Sequence, residues 1–187
     1  MRSGTLSPLR TSCCRPKKGF VLSKEIILTR GFVALVDDWN YAWLNVYTWH
    51  EAQGYAVCNS SCSQGQKSYK VGMHRFILGV VPGDTRQIDH INRNTLDNRE
   101  HNLRVCSSAE NTCNQKLQVR VGTSRFKGVY QQHNGGSWRA KLGLHKGQIY
   151  LGSFSSEEEA ARAYDRAALQ HFGEFACTNE SLGLFSL

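Results

Sequence analysis

The first third of the chain alternates short apolar runs with turn residues. Ile26-Ile27-Leu28 and Phe32-Val33-Ala34-Leu35-Val36 are separated by Arg30-Gly31, a hairpin-like break. Asp37 or Asp38 then caps a short amphipathic turn, Trp39 to Tyr47, whose aromatics face a core. Gly54-Tyr55-Ala56-Val57 and Lys67 to Val71 read as two strands flanking a polar loop over 59–66. A second unit begins near Met73 and a third near Gly122, with no internal repeat.

In the middle, Gln87 to His90 reads as a strand and Arg93 to Asn98 as a polar loop. Asn102 to Cys106 is a second short strand. Ser107 with Glu110 forms a capping box, which predicts a helix from Ser107 to about Leu117.

Beyond the polar stretch Asn111 to Arg120, the runs Phe126–Gln132, Ser137–Leu144 and Gln148–Phe154 alternate polar with apolar positions. Asn134-Gly135-Gly136 and Lys146-Gly147 break them. Ser156 with Glu159 caps a helix whose Ala160, Ala163, Tyr164, Ala167, Ala168 and His171 line one face. The alanines allow close approach to a sheet, and the other face of that sheet is left for a partner.

Charge sharpens this outline. The 187 residues carry 23 Lys+Arg against 15 Asp+Glu, a formal +8. Residues 1–24 hold +6 and read as a basic arm over 1–19, residues 25–73 hold −1, and residues 74–120 hold +2. Residues 121–154 hold +5 with no acid, beside −4 in 155–187. A basic block of this kind is a local face suited to a polyanion, most often nucleic acid. No apolar run approaches the ~18 residues of a membrane span, so no membrane partner is expected. The seven cysteines are odd in number, and residues 1–19 contain no apolar signal core. Both point to a soluble protein of a reducing, intracellular compartment. Cys58-x-x-x-Cys62 could be half a zinc site but lacks a well-placed second pair, so loop cysteines are the default.

The central segment carries the candidate chemistry. Metal-assisted attack on a phosphodiester needs a hard oxygen ligand, a base for water, and a residue that holds the base. Asp89 supplies a carboxylate suited to Mg²⁺ or Mn²⁺, and His90 a base that titrates near neutrality. Asn102 can orient the imidazole, and Asn111 offers a second oxygen ligand from the helix.

Residues 73–117 resemble an HNH homing endonuclease of the ββα-metal type. The twelve-residue step from His90 to Asn102 and the nine-residue step from Asn102 to Asn111 both match. The resemblance implies that Asp89 and Asn111 bind the divalent ion. It also implies that His90 activates water and that Asn102 braces the loop carrying His90. The last position is Asn where the family name implies His, a variant seen among phage members. His74, in Met73-His74-Arg75-Phe76-Ile77, fits the family's lead-in and is given no chemistry.

Ser124-Arg125-Phe126-Lys127-Gly128-Val129-Tyr130, Trp138-Arg139-Ala140-Lys141-Leu142, Tyr150-Leu151-Gly152-Ser153-Phe154 and the helix from Glu157 to Asp165 resemble the plant apetala-2/ethylene-response-factor DNA-binding domain over 124–179. The residues themselves suit DNA. Arg125, Lys127, Arg139 and Lys141 match phosphates and guanine edges, and Gln132 can read adenine. Tyr130, Trp138 and Tyr150 can pack on sugars and thymine methyls, although Trp138 and Tyr150 could equally anchor the sheet to its helix. Tyr130, Gln132 and Gly143 stand where plant members carry Arg, so the target sequence does not carry over.

The expected fold is α+β. A β-rich lead-in and an HNH ββα-metal nuclease occupy 20–120, with its core at 73–117. A three-stranded antiparallel sheet on one helix occupies 122–180, and 181–187 form a tail. The expected function is a Mg²⁺- or Mn²⁺-dependent endonuclease acting on double-stranded DNA as a monomer or transient dimer, with no small-molecule cofactor. One active site per chain cuts one strand. The alternative is a DNA-binding regulator on a non-catalytic HNH-like scaffold. An RNA-binding module is disfavoured because the sheet lacks an evident set of base-stacking aromatics.

Overall fold

The computed structural model describes residues 22–60, 69–80, 83–114, 124–131, 136–144 and 147–186. The expected basic arm, Cys62 and Gln132 lie outside these residues. The chain divides into two compact units between Cys106 and Ser107. That division falls within the expected nuclease stretch, not at 120–122.

In the N-terminal unit, β1 (Ser23–Ile27) pairs antiparallel with β2 (Val33–Asp37). Their turn holds Arg30 and Gly31 at φ 72 and 82, the successive left-handed residues that match the twist of a tight hairpin. Next comes α1 (Asp38–Leu44), followed by the antiparallel sheet of β3 (His50–Ala52), β4 (Tyr55–Ser60) and β5 (Tyr69–Gly72). A short helix, α2 (Met73–Ile77), follows directly. β6 (Gln87–His90) then pairs antiparallel with β7 (Leu103–Cys106) across a loop that closes in a 3-10 turn, Glu100–Asn102. Ile26, Leu28, Val36, Leu44, Trp49, Met73, Ile77, Ile88 and Leu103 form one buried core. Met73 lies wholly inside that core, so no boundary falls there.

Asp37 occupies the N-cap position of α1 but makes no capping bond. Its Oδ2 instead accepts the Glu100 N–H at 2.7 Å, and burial pushes its carboxyl pKa up. A local cap has given way to a long-range tether.

The C-terminal unit contains α3 (Ser108–Cys113), then β8 (Val129–Gln131), β9 (Trp138–Leu144) and β10 (Gly147–Phe154), an antiparallel sheet with β9 in the middle. α4 (Glu157–Phe172) packs on it. Both expected capping boxes are present, Ser107 with Glu110 and Ser156 with Glu159. The buried stripe of α4 is Ala160, Ala161, Tyr164, Asp165 and Ala168; Ala163 and Ala167 are half-buried and His171 is exposed. The stripe turns this way because Asp165 is used internally. Its carboxylate accepts the N–H of Asn179 at 2.7 Å and of Glu180 at 3.0 Å. Asn179, wholly buried, accepts the Lys127 N–H at 2.6 Å and donates back to its carbonyl. Leu184 and Phe185 pack on the core, Phe185 with its ring 5.0 Å from that of Phe126. Within the expected tail over 181–187, Leu184 and Phe185 thus belong to the packing of this unit. The class is α+β, with every named strand pair antiparallel. Among the described residues no helix is long and apolar enough to cross a membrane.

Gly128 shows how tightly sheet and helix fit. It sits at φ 76, and a Cβ there would lie 2.0 Å from the Tyr164 ring and 2.8 Å from the Lys141 carbonyl oxygen. Gly128→Ala is expected to destabilise the chain by about 2–4 kcal/mol, since left-handed backbone and overpacking penalties combine. Gly143→Ala, on an exposed strand with nothing within 4 Å, is expected to be neutral or slightly stabilising. Urea unfolding of the two variants checks the contrast.

Candidate functional site

Asp89 and His90 end β6, where register sets Asp89 opposite Arg104 and His90 opposite Leu103. Cross-strand neighbours lie on the same sheet face, so the Arg104 guanidinium reaches Asp89. Its Nε and Nη2 donate to Asp89 Oδ2 at 2.8 and 2.6 Å. Both side chains are nearly buried, at 13% and 6% exposure.

The loop after His90 is a network of buried polar groups. Asn102 spans it: its Oδ1 accepts the Asn92 N–H at 2.9 Å, and its Nδ2 donates to the Asp97 carbonyl at 2.8 Å. Asn92 and Arg99 both donate to the Asp97 carboxylate, at 2.6–2.7 Å. Burial alone would raise the Asp97 pKa, but these donors leave it below the ordinary carboxylate value. The loop is also stitched to β2, with the Leu35 N–H donating to the Leu96 carbonyl and the Asn98 N–H to that of Leu35.

The His90 imidazole is buried. Its Nε2 lies 3.5 Å from Asn98 Oδ1. Asn98 is wholly buried and donates through Nδ2 to the Leu96 carbonyl at 3.2 Å. That bond turns Oδ1 toward the ring as an acceptor. Burial lowers the His90 pKa, while Asn98, Asp89 and Asp97 oppose the shift without cancelling it. The ring is thus neutral at neutral pH, the form that can take a proton.

His74 is a further component. Its ring centroid lies 5.3 Å from that of His90, edge to face, and 5.4 Å from that of Tyr55. Its Nδ1 is buried without a hydrogen-bond partner. Burial, with smaller contributions from His90 and Arg75, pushes its pKa down to about 3. Asn98, Arg104 and this use of His74 were not foreseen from the sequence. Only a register of β6 against β7 could have exposed the Asp89–Arg104 pair.

Asn111 lies on α3, which belongs to the C-terminal unit. Among the described residues no three His, Cys, Asp or Glu side chains cluster as a metal site. The expected donors, one carboxylate and one amide oxygen, nonetheless fit Mg²⁺ or Mn²⁺, which bind through few protein oxygens and complete their shells with water and phosphate. Cys58 is buried in the core on β4, and burial raises its thiol pKa, so it packs as an apolar side chain.

On the C-terminal sheet, the face turned to α4 carries Val129, Ala140 and Leu142. Tyr130, Arg139 and Ser153 align across the opposite face, as do Lys141 and Tyr150. Tyr150 is 57% exposed, and its hydroxyl bonds to that of Ser153 at 2.7 Å. Lys141 Nζ lies 5.0 Å over the Tyr130 ring, and Arg139 Nε is buried without a hydrogen-bond partner. Trp138 packs with the core residues on the helix side, an anchoring position. Arg125 pairs with Glu158 at 3.2 Å and stacks over Phe126. The backbone of Lys127 is held by Asn179.

Residues 74–113 match the HNH endonuclease family. The chain is also similar to plant transcription factors. It is 53% identical over 60 residues to APETALA2-like protein 2 of Oryza sativa subsp. indica, which covers 31% of this chain and 14% of that protein. It is 43% identical over 68 residues to AP2-like ethylene-responsive transcription factor PLT2 of Arabidopsis thaliana, covering 35% and 12%. It is 34% identical over 97 residues to ethylene-responsive transcription factor WRI1 of the same plant, covering 51% and 20%. The chain thus spans a fifth or less of the length of these curated relatives. It carries both an HNH unit and an AP2-type domain.

The His74 environment generates a pH prediction. A histidine kept neutral by the fold stays unprotonated while the unfolded chain takes up a proton below its ordinary 6.5. Stability is therefore lost as pH falls from 6.5 toward 3. Between pH 6.5 and 5 the loss from this one group is on the order of 1–2 kcal/mol. His74→Asn is expected to flatten that part of the profile, read by urea unfolding across the pH range.

Proposed function

We propose that this chain is a site-selective, divalent-metal-dependent DNA endonuclease of the HNH homing type, hydrolysing a phosphodiester to a 5′-phosphate and a 3′-hydroxyl. The observation that carries the reading is the buried His90 imidazole beside Asp89, within the segment that matches HNH endonucleases.

Asn98 presents an acceptor to Nε2, which favours the tautomer with its proton on Nε2 and makes Nδ1 the basic nitrogen. In this role Nδ1 takes the proton from the water that attacks phosphorus in line with the leaving 3′-oxygen. Asn102 holds the loop in shape through Asn92 and Asp97, so that His90 meets the water in one orientation. Asp89 and Asn111 would hold Mg²⁺ or Mn²⁺, which would supply positive charge to offset the negative charge that develops during hydrolysis.

The C-terminal sheet selects the site on double-stranded DNA. Arg139, Lys141, Tyr130 and Tyr150 share the face turned away from α4 and make its contacts, with Arg125, Lys127 and Gln132 as further contacts. Trp138 supports that face from the core side. One catalytic centre per chain nicks one strand, and a double-strand cut needs a second chain or a second event. The chain works inside the cell, in a reducing compartment.

Supercoiled plasmid with Mg²⁺ or Mn²⁺ tests the catalytic part. His90→Ala is expected to lower the nicking rate by about 10²–10⁴-fold while DNA binding persists. Equal nicking by the variant removes His90 from the mechanism. Binding without nicking, by wild type under either ion, leaves the DNA-binding regulator in its place.

The sheet is tested separately. Arg139→Ala with Lys141→Ala is expected to weaken duplex binding and to reduce the slope of log K against log salt by about two. An unchanged slope would place the DNA-binding surface elsewhere.

A further inference from the structure

We infer that Arg104 holds the place of the divalent cation on Asp89, so that the ion is bound only as the guanidinium leaves the carboxylate. This rests on the reading of Asp89 as a metal ligand. The two side chains stand directly opposite in the β6–β7 register. Two guanidinium nitrogens, Nε and Nη2, converge on the same oxygen, Oδ2, at 2.8 and 2.6 Å. With both groups nearly buried, solvent screens their attraction weakly, and the carboxylate is neutralised before any ion arrives.

A divalent ion ligated by Asp89 sits about 2 Å from its carboxylate oxygen. It would then lie within a few ångströms of a guanidinium on that same carboxylate, in a site with little water to separate two positive charges. The carboxylate cannot serve both fully, so ion binding and the Asp89–Arg104 bond compete. A DNA phosphate offers the released guanidinium an equivalent acceptor, because both are planar or tetrahedral oxyanions that accept paired N–H donors. Ion and DNA then bind together more readily than the ion binds alone. Arg104 acts here as a positioning residue for Asp89 in the ion-free chain, and the ion's affinity is set by how firmly it holds.

Mn²⁺ binding to the full chain, followed by electron paramagnetic resonance without DNA, tests the inference in wild type, Arg104→Gln, Arg104→Lys and Asp89→Asn. Arg104→Gln is expected to bind Mn²⁺ roughly tenfold or more tightly than wild type. It is also expected to melt at a lower temperature without the ion, and to recover more on adding Mn²⁺. Arg104→Lys keeps the charge but loses the forked hold, and is expected to fall between the two. Mn²⁺ affinity equal to or weaker than wild type in Arg104→Gln overturns the inference; if that variant does not fold, the same comparison with Arg104→Lys decides. Asp89→Asn distinguishes the underlying reading: equal Mn²⁺ binding by wild type and Asp89→Asn removes Asp89 as the ligand, and the inference falls with it. A duplex carrying no cleavable site is expected to tighten Mn²⁺ binding in wild type more than in Arg104→Gln, and an equal effect in both overturns the coupling.

Discussion

Asp89, His90, Asp97, Asn98 and Asn102 are all buried within the short span from β6 to the 3-10 turn. Polar groups removed from water need partners, because each one left unsatisfied costs about 1–3 kcal/mol, and more for a charge. The architecture of the N-terminal unit follows from meeting that demand. Asn102 closes the loop on itself through Asn92 and Asp97, Arg99 and Arg104 neutralise the two carboxylates, and the Leu35 backbone takes and gives a bond at the loop's midpoint. Glu100 is pinned three times, by the Asp37 carboxylate at its N–H and by the Trp39 and Asn40 side chains at its Oε1. The β-rich region before the motif is therefore a scaffold that supplies the loop's partners. Its apolar side chains share one core with Ile88 and Leu103.

The C-terminal unit solves a related problem with one buried acid. Asp165 on α4 receives the backbone of Asn179 and Glu180, and Asn179 in turn receives and returns a bond to Lys127. Helix, closing segment and the approach to β8 are thereby locked together beneath the sheet. Gly128, held against the Tyr164 ring, sets the spacing. The outcome is a rigid sheet with one face fully used by α4 and the other carrying Tyr130, Arg139, Lys141 and Tyr150.

Features governed by neighbours in sequence were legible. The Arg30-Gly31 hairpin, both capping boxes and the strands β6, β7, β9 and β10 depend on local periodicity and turn chemistry, and each stands where those signals put it. Features governed by distant partners were not. Asp37 looks like a cap but serves Glu100, sixty-three positions away. His171 continues the helical period yet is exposed, because the stripe is set by what α4 meets and by the buried Asp165. Leu184 and Phe185 carry no periodic signal and still complete a core. In the candidate site, type and spacing single out Asp89, His90 and Asn102, which the fold places on β6 and in the 3-10 turn that precedes β7. Asn102 bonds to Asn92 and Asp97 in the loop, and the residue against the His90 ring is Asn98, which no spacing picks out. A spacing records which residues recur together, not which atoms touch.

The same contrast bears on the charge. Arginines in the central segment are largely engaged internally: Arg86 with Asp84, Arg99 with Asp97 and Arg104 with Asp89. Each such pair is electrically neutral, so the segment meets a DNA backbone with no more than its net +2. On the C-terminal sheet the cations stand differently. Neither Lys141 nor Arg139 is paired with an acid among the described residues. Under the proposed function, holding the duplex and acting on it make opposite electrostatic demands. Holding requires cations that remain available to phosphate, whereas acting requires carboxylates kept in place and compensated until an ion arrives. In such an endonuclease, cations added to the outer face of the C-terminal sheet would raise affinity for DNA without disturbing the closely packed surroundings of the His90 imidazole at the end of β6.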